Sequence, residues 1–526
     1  GPIYQVVKAN KEGTDWYDVV MRNALLKRHH LGISGAGAAS QYYVGVGMQE
    51  QEGIVRNQQF SRYSFRVNTA FDLLPFLKIG ENFQGTYRST RLLEGAAGGI
   101  GSADTWTFVN SSLTNPIIPV YDEFGGYAGN AAPGVGVNWS NPLADAENLK
   151  DNRDFTVQAF GNFYIELEPI KGLILRSSFG GQFSTANSRE YLKTTYHSIN
   201  KRITPAFSQF SSYTSQWVWT STANFRKTIG YNTVDLLLGQ EVLDQGSGFT
   251  ISGFGLDPFS ENVDYIGLTT LSNRTVEGAP FNGVRFASYF SRINYDYADK
   301  YMVSAVLRRD GSSRFGQNNR YGFFPAFSAA WRISSERFMQ KFTFIDDIKL
   351  RGGFGVMGNS NNVDPNNQYS LFSSSLEASS YDIDGTNTST VEGFYRTRIG
   401  NPTAKWEQAI TANIGLDMLL FNGRLDLGVE FWRKRTKDLL FRMPVTVQSG
   451  FFAADPFVNV GEMLNEGIDF TVTSKGRTNG IRYQITLNGS FLHNEIVTLA
   501  PGIENLPNRS SVYGSIRPIL NQVGQP

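Results

Sequence analysis

Six aromatic side chains stand in the two longest polar stretches of the chain: Trp106, Tyr121, Tyr127 and Trp139 within 91–152, and Tyr381 and Tyr395 within 359–404. Flat apolar ring faces stack on sugar rings, and polar neighbours serve the hydroxyls, so these six are the candidate substrate-binding residues. The alternative is that they pack the loops together or meet a protein partner. Charges of both signs recur on one side of alternating segments: Arg62, Arg66, Arg176, Lys349, Arg351, Asp417, Asp426, Glu430 and Arg482. They could guide a solute or pair with one another, and exposed ion pairs add little stability. Arg308, Arg309 and Asp310 precede GSSRFGQNN and read either as a contact site or as loop-setting residues, because Asp-Gly favours a turn.

Catalysis has little to stand on. The chain has four histidines; His29 and His30 lack an HExxH context, and no GxSxG, P-loop or CxxC occurs. Two carboxylates suffice for glycoside hydrolysis, but among 47 acidic residues some pair always fits. Asp382, Asp384, Gly385 and Asn387 depart from EF-hand spacing and read as a turn. The chain is read as a non-enzyme, with no metal and no cofactor.

What must position these residues is a series of alternating strands. In 423–432, Leu425, Leu427, Val429 and Phe431 point one way and Asp426, Gly428 and Glu430 the other. The same alternation runs through 409–418 and 481–491. About sixteen strands are expected, several near the ten or so residues that cross an outer membrane. Their cores are 29–35, 40–50, 60–72, 77–90, 153–167, 171–187, 213–228, 232–246, 284–297, 300–311, 321–334, 347–358, 405–420, 423–441, 465–475 and 480–497. One helix is expected after Thr14 or Asp15, with Trp16, Val19, Val20, Asn23 and Ala24 on one face, either in a core or packed on a rim or loop.

Composition permits this. A mean hydropathy of -0.27 and the absence of an 18-residue apolar run exclude a membrane-spanning helix, not a membrane strand, which needs only alternate apolar residues. Aromatic residues at 13% and 54 glycines suit interfacial girdles and tight turns. A net charge of +1 argues against nucleic acid. No signal peptide opens the chain.

Short connections (35–39, 73–76, 168–171, 230–231, 298–299, 421–423, 475–480) alternate with long polar ones (91–152, 188–212, 247–283, 359–404, 442–464), except for a brief one at 51–59 on the long side and a longer one near 335–346 on the short side. Short turns at one rim and long loops at the other are the plan of an outer-membrane barrel. By parity both ends of the strand series fall on the long-loop side, which implies an absent strand before residue 1 and an odd number after Pro526. A passive porin shares this alternation and is the alternative reading. A soluble propeller would show a repeat of about 40–50 residues, and none is found.

Residues 300–339, KYMVSAVLRRDGSSRFGQNNRYGFFPAFSAAWRISSERFM, and 401–440, NPTAKWEQAITANIGLDMLLFNGRLDLGVEFWRKRTKDLL, resemble the SusC/RagA family of TonB-dependent outer-membrane transporters. So do 13–35, 42–57, 60–68, 349–359 and 459–474. The resemblance implies an all-β fold, a transmembrane antiparallel barrel of about 22 strands of which about sixteen are present. The expected organisation is a segment with a short helix over 1–28, barrel strands over 29–497 and an extracellular loop over 498–526. The plug and the TonB-contacting segment are expected upstream and further strands downstream. The implied activity is energised import of an oligosaccharide or peptide through the outer membrane of a Gram-negative bacterium. The implied partners are a SusD-like surface lipoprotein, TonB and the lipid bilayer.

Overall fold

The computed structural model describes residues 10, 12–91, 107–129, 140–148, 150–196, 202–374, 379–386, 390–443, 453–478, 480–500, 502, 504–507 and 520–526. Strands dominate. In the first half are β1 (Leu26–Ala36), β2 (Ser40–Glu52), β3 (Gln59–Leu74), β4 (Leu77–Arg91), β5 (Arg153–Ile170), β6 (Leu173–Leu192), β7 (Ala206–Ile229), β8 (Asn232–Leu256) and β9 (Ser272–Phe281). Then come β10 (Val284–Tyr297), β11 (Tyr301–Ser312), β12 (Tyr321–Arg332) and β13 (Ile345–Asn359), followed by the short β14 (Leu371–Ser373), β15 (Ser380–Asp382), β16 (Thr390–Glu392) and β17 (Tyr395–Arg398). The series closes with β18 (Glu407–Leu420), β19 (Leu425–Lys437), β20 (Leu440–Arg442), β21 (Phe457–Asn459), β22 (Glu462–Thr478), β23 (Ile481–Thr498), β24 (Asn505–Pro507) and β25 (Leu520–Gln522). Among the described residues three short α-helices accompany them: α1 (Trp16–Val20), α2 (Thr107–Leu113) and α3 (Pro142–Asn148). Among the described residues no helix is long and apolar enough to cross a membrane.

The chain divides into two compact units, residues 1–165, 178–217 and 245–283 in the first and 166–177, 218–244 and 284–526 in the second. In the first unit β1–β2, β2–β3, β3–β4 and β8–β9 pair antiparallel. In the second, antiparallel pairing runs β10–β11–β12–β13–β18–β19–β22–β23. Neighbours in sequence are thus neighbours in space, as a meander requires.

The tight turns follow local chemistry. Ala298 and Asp299 both take positive φ (53° and 55°), the mirror-type turn whose twist matches antiparallel strands. At Phe421, Asn422 and Gly423 three successive residues do the same.

All sixteen expected strands are present. Three details differ. β8 runs on to Leu256 and β9 pairs back onto it, although 247–283 reads as a loop; Gly248 and Gly253 lie in that paired ribbon. The strand expected over 423–441 breaks where Asp438 takes φ 56°, and Leu440–Arg442 pairs separately with β21. Asp310–Gly311 is not a turn: both residues are still paired, with Gly322 and Tyr321.

Helix α1 is shorter than its apolar spacing suggests. Asp15 caps it, accepting from the Tyr17 and Asp18 N–H groups. The helix ends at Val20 because Met21 turns extended and bridges to Val55, leaving Asn23 and Ala24 outside. Its buried Trp16 packs with Ile118 and Ala128, so the helix rests on a long loop.

Candidate functional site

Alternation gives the sheet two chemically distinct faces. In the second unit, register places Ile414 opposite Phe431, Phe431 opposite Ile468, and Ile468 opposite Phe491. These four apolar neighbours on four strands are 55%, 48%, 43% and 70% exposed. In the first unit Leu31, Val46 and Phe65 are likewise opposed and exposed. Water-soluble proteins rarely leave such contiguous apolar patches open, so these rows call for an apolar neighbour.

The opposite face is polar and internally paired. Arg351 on β13 donates Nε to Asp417 on β18 at 3.0 Å and lies 2.6 Å from Glu430 on β19. Lys349 lies 3.8 Å from Asp417, and Asn413 donates to Glu430 at 2.7 Å. Arg351 reaches across β18 because Gly415 stands opposite it; a Cβ there would come within 2.9 Å of the guanidinium carbon. Arg176 pairs with Glu166 at 3.5 Å, Arg62 donates to Gln49, and Arg66 lies over the Tyr43 ring. Asp426 and Arg482 are exposed. Beside the network, register aligns Asn294, Ser304, Ser328, Gly353 and Asn413, and these small side chains line a hollow of about 530 Å³ with Asp235 and Arg351. Such a wall suits water and polar solutes.

The chain matches the family described as "TonB dependent receptor-like, beta-barrel" over residues 98–511. The chain belongs to the TonB-dependent receptor β-barrel family. Its relatives include the TonB-dependent receptor P26 of Formosa agariphila, 31% identical over 498 residues covering 92% of this chain and 47% of that protein. SusC of Bacteroides thetaiotaomicron is 28% identical over 518 residues covering 93% of this chain and 49% of SusC. This TonB-dependent receptor chain therefore spans about half the length of these relatives. Its fold superposes on a chain of the RagAB peptide importer with a TM-score of 0.80 at 23% identity, over 100% of this chain and 56% of that one. The SusC/RagA resemblance and the barrel fold are thereby shown, and the family is one of receptors and transporters.

Of the six candidate aromatics, Trp106 and Trp139 lie outside the described residues. Tyr121 and Tyr127 are brought together, their rings stacked with centroids 5.7 Å apart. They flank a tight hairpin in which Asp122 Oδ1 accepts from the Phe124 and Gly126 N–H groups at 2.9 and 2.8 Å. Gly125 supplies the left-handed residue (φ 82°), and Phe124 stands 84% exposed at the tip. Asn141 fixes the hairpin's base, donating to the Val120 and Ala128 carbonyls at 3.0 Å while its Oδ1 caps α3. Burial, then the Glu147 charge, raises the Tyr127 hydroxyl pKa, so it stays neutral. Sequence reasoning missed Tyr196, whose hydroxyl accepts the Tyr127 N–H at 3.0 Å; nothing in LKTTYHS announces that contact across 69 residues.

In the second unit Tyr381 is exposed on β15 and Tyr395 half-buried on β17; these two are on different two-stranded ribbons. Asp382 and Asp384 form the turn expected of them, the Asp384 N–H donating to Asp382 Oδ1 and Gly385 taking φ 66°; Asn387 lies outside the described residues. The loops are organised by a buried cluster of Phe315, Phe324, Val363, Ala404, Trp406 and Leu440. Trp406 meets Phe315 and Phe324 with ring centroids 5.1 and 5.3 Å away and donates Nε1 to the Arg320 carbonyl at 3.1 Å. Asp364 is bound by both Arg398 terminal nitrogens. Burial raises its pKa, but the Asn366 N–H and Arg398 outweigh that and hold it below the ordinary carboxylate value.

Proposed function

We propose that this chain forms the barrel strands, within residues 29–497, of a TonB-dependent importer in the outer membrane of a Gram-negative bacterium. The observation that carries the reading is the two-faced sheet: exposed apolar rows such as Ile414–Phe431–Ile468–Phe491 on one side and the Arg351–Asp417–Glu430 network on the other. The apolar rows contact lipid. The polar face lines a water-filled or plugged interior, and pairing among its own charges keeps that wall from binding solute too tightly.

The cargo is an oligosaccharide or an oligopeptide, the latter supported by the likeness to the RagAB peptide importer. A SusD-like lipoprotein covers the long loops, and TonB supplies work through a segment elsewhere in the whole receptor. The aromatics Trp106, Tyr121, Tyr127, Trp139, Tyr381 and Tyr395 are the candidate cargo contacts; the stacked Tyr121–Tyr127 pair, held by Asn141, is the pre-built one among them.

Uptake measured in cells carrying the full receptor tests this. Labelled oligosaccharides or peptides are expected to accumulate only while the proton gradient stands, and Tyr121→Ala is expected to weaken uptake at limiting concentration by about tenfold, the worth of one stacking contact. Accumulation that persists in the presence of a protonophore would instead mark a passive channel.

A further inference from the structure

The exposed row on β11 ends in a cation. Tyr301, Val303 and Leu307 share the apolar face, and Arg309 continues the same alternation, exposed, at the end of the strand nearest the connection 313–320. Its two neighbours separate from it: Arg308 and Asp310 lie on the polar face, where Arg308 binds Asp310 at 2.7 Å and Glu241 at 3.5 Å. Arg309 instead sits over the Tyr321 ring at 4.3 Å and within 5.6 Å of the Phe323 ring. Register puts it directly between exposed Tyr289 and Phe323. Among the described residues no carboxylate pairs with it. On the neighbouring β10, Arg285 on the same face is already taken by Asp244 at 3.0 Å.

Depth follows from strand geometry. From Tyr301 to Arg309 the strand advances about 26 Å at ~3.3 Å per residue, or about 20 Å along the membrane normal for a tilt near 40°. That is close to the height of an apolar band. Tyr301 stacks with Tyr297 and Trp331 in an aromatic series at the short-turn end, so Arg309 with Tyr289, Tyr321 and Phe323 marks the opposite interface. A guanidinium stacked on a ring spends its flat face there and keeps its N–H edge for an acceptor. A planar, forked donor at head-group depth suits the paired oxygens of a phosphate.

We propose that Arg309, held by Tyr321 and Phe323, binds a phosphate of an outer-leaflet glycolipid. The inference rests on the outer-membrane placement above. It is tested on the full-length receptor in detergent by native mass spectrometry, with bisphosphorylated lipid A, its phosphate-free analogue and inorganic phosphate as probes. Wild type retains lipid A; R309Q is expected to lose about tenfold in occupancy, the weight of one charge-assisted contact, and R309K recovers only part. The phosphate-free analogue should bind both proteins equally. Retention by R309Q equal to wild type, with heat-modifiable migration showing that the barrel is folded, overturns the site. Displacement of the lipid by inorganic phosphate overturns the lipid as its source. Membrane fractionation of wild-type cells separates the two levels: recovery outside the outer membrane overturns the placement, whereas recovery there with unchanged R309Q binding overturns the Arg309 site alone.

Discussion

Phe431→Arg is expected to destabilise the folded receptor in vesicles by about 2–4 kcal/mol, the cost of a cation on the lipid face near the bilayer midplane. Phe431 is exposed and flanked by Ile414 and Ile468, themselves exposed. Were water its neighbour, an added charge at such a surface position would change stability by no more than about 0.5 kcal/mol. The two environments therefore predict outcomes several-fold apart from one substitution, read by denaturant unfolding in lipid. A matched change on the other face, Asp417→Asn, removes one partner of Arg351 but leaves Glu430 at 2.6 Å. It serves as the control for charge change alone.

The second large effect concerns the loops. Trp406→Ala is expected to cost about 3–5 kcal/mol, the penalty for emptying a buried aromatic site. The ring is 6% exposed and joins Phe315, Phe324 and Phe286, which come from separate parts of the chain. The loss is expected to be local, because backbone pairing from Gln408–Lys437 to Leu420–Leu425 holds β18 to β19. Hydrogen exchange should therefore accelerate around Val363 and Ala404 while amides in β18 and β19 keep their protection. Trp406→Phe should retain most of the packing and lose only the bond to the Arg320 carbonyl, about 1 kcal/mol. Uniform acceleration across the strands would mean that the cluster supports the whole unit and not the loops.

Why the strands were legible and the loops were not follows from the range of the forces involved. A strand bordered by lipid on one side and polar surroundings on the other has its alternation imposed residue by residue, so Leu425 to Phe431 and Ile410 to Met418 declare their faces locally. The misses occur where local signals conflict. The connection 247–283 reads as a loop, yet β8 pairs with β9 across it and carries Gly248 and Gly253 in the ladder. Helix α1 looks longer than it is because Asn23 and Ala24 keep its spacing, while the bridge from Met21 to Val55, distant in sequence, ends it. Arg308, Arg309 and Asp310 read as one cluster, but strand pleating sends Arg309 to the face opposite the other two. The candidate site was legible only as residue types. Tyr121 and Tyr127 stand out as loop aromatics, but their stacking needs the Asp122 turn and Asn141, and Tyr196 arrives from another loop. The Trp406 cluster is assembled from segments whose only common property is apolarity.

Whether the exposed apolar rows face lipid is read by spin-label accessibility along one strand. The chain contains no cysteine, so Leu427→Cys, Gly428→Cys, Val429→Cys, Glu430→Cys and Phe431→Cys, each in a receptor freed of any other cysteine, place one label at a time. A period of two is expected: labels at 427, 429 and 431 collide with lipid-dissolved oxygen, and those at 428 and 430 do not. Labels at 427, 429 and 431 reached by a water-soluble nickel chelate, or shielded from both reagents, would contradict it.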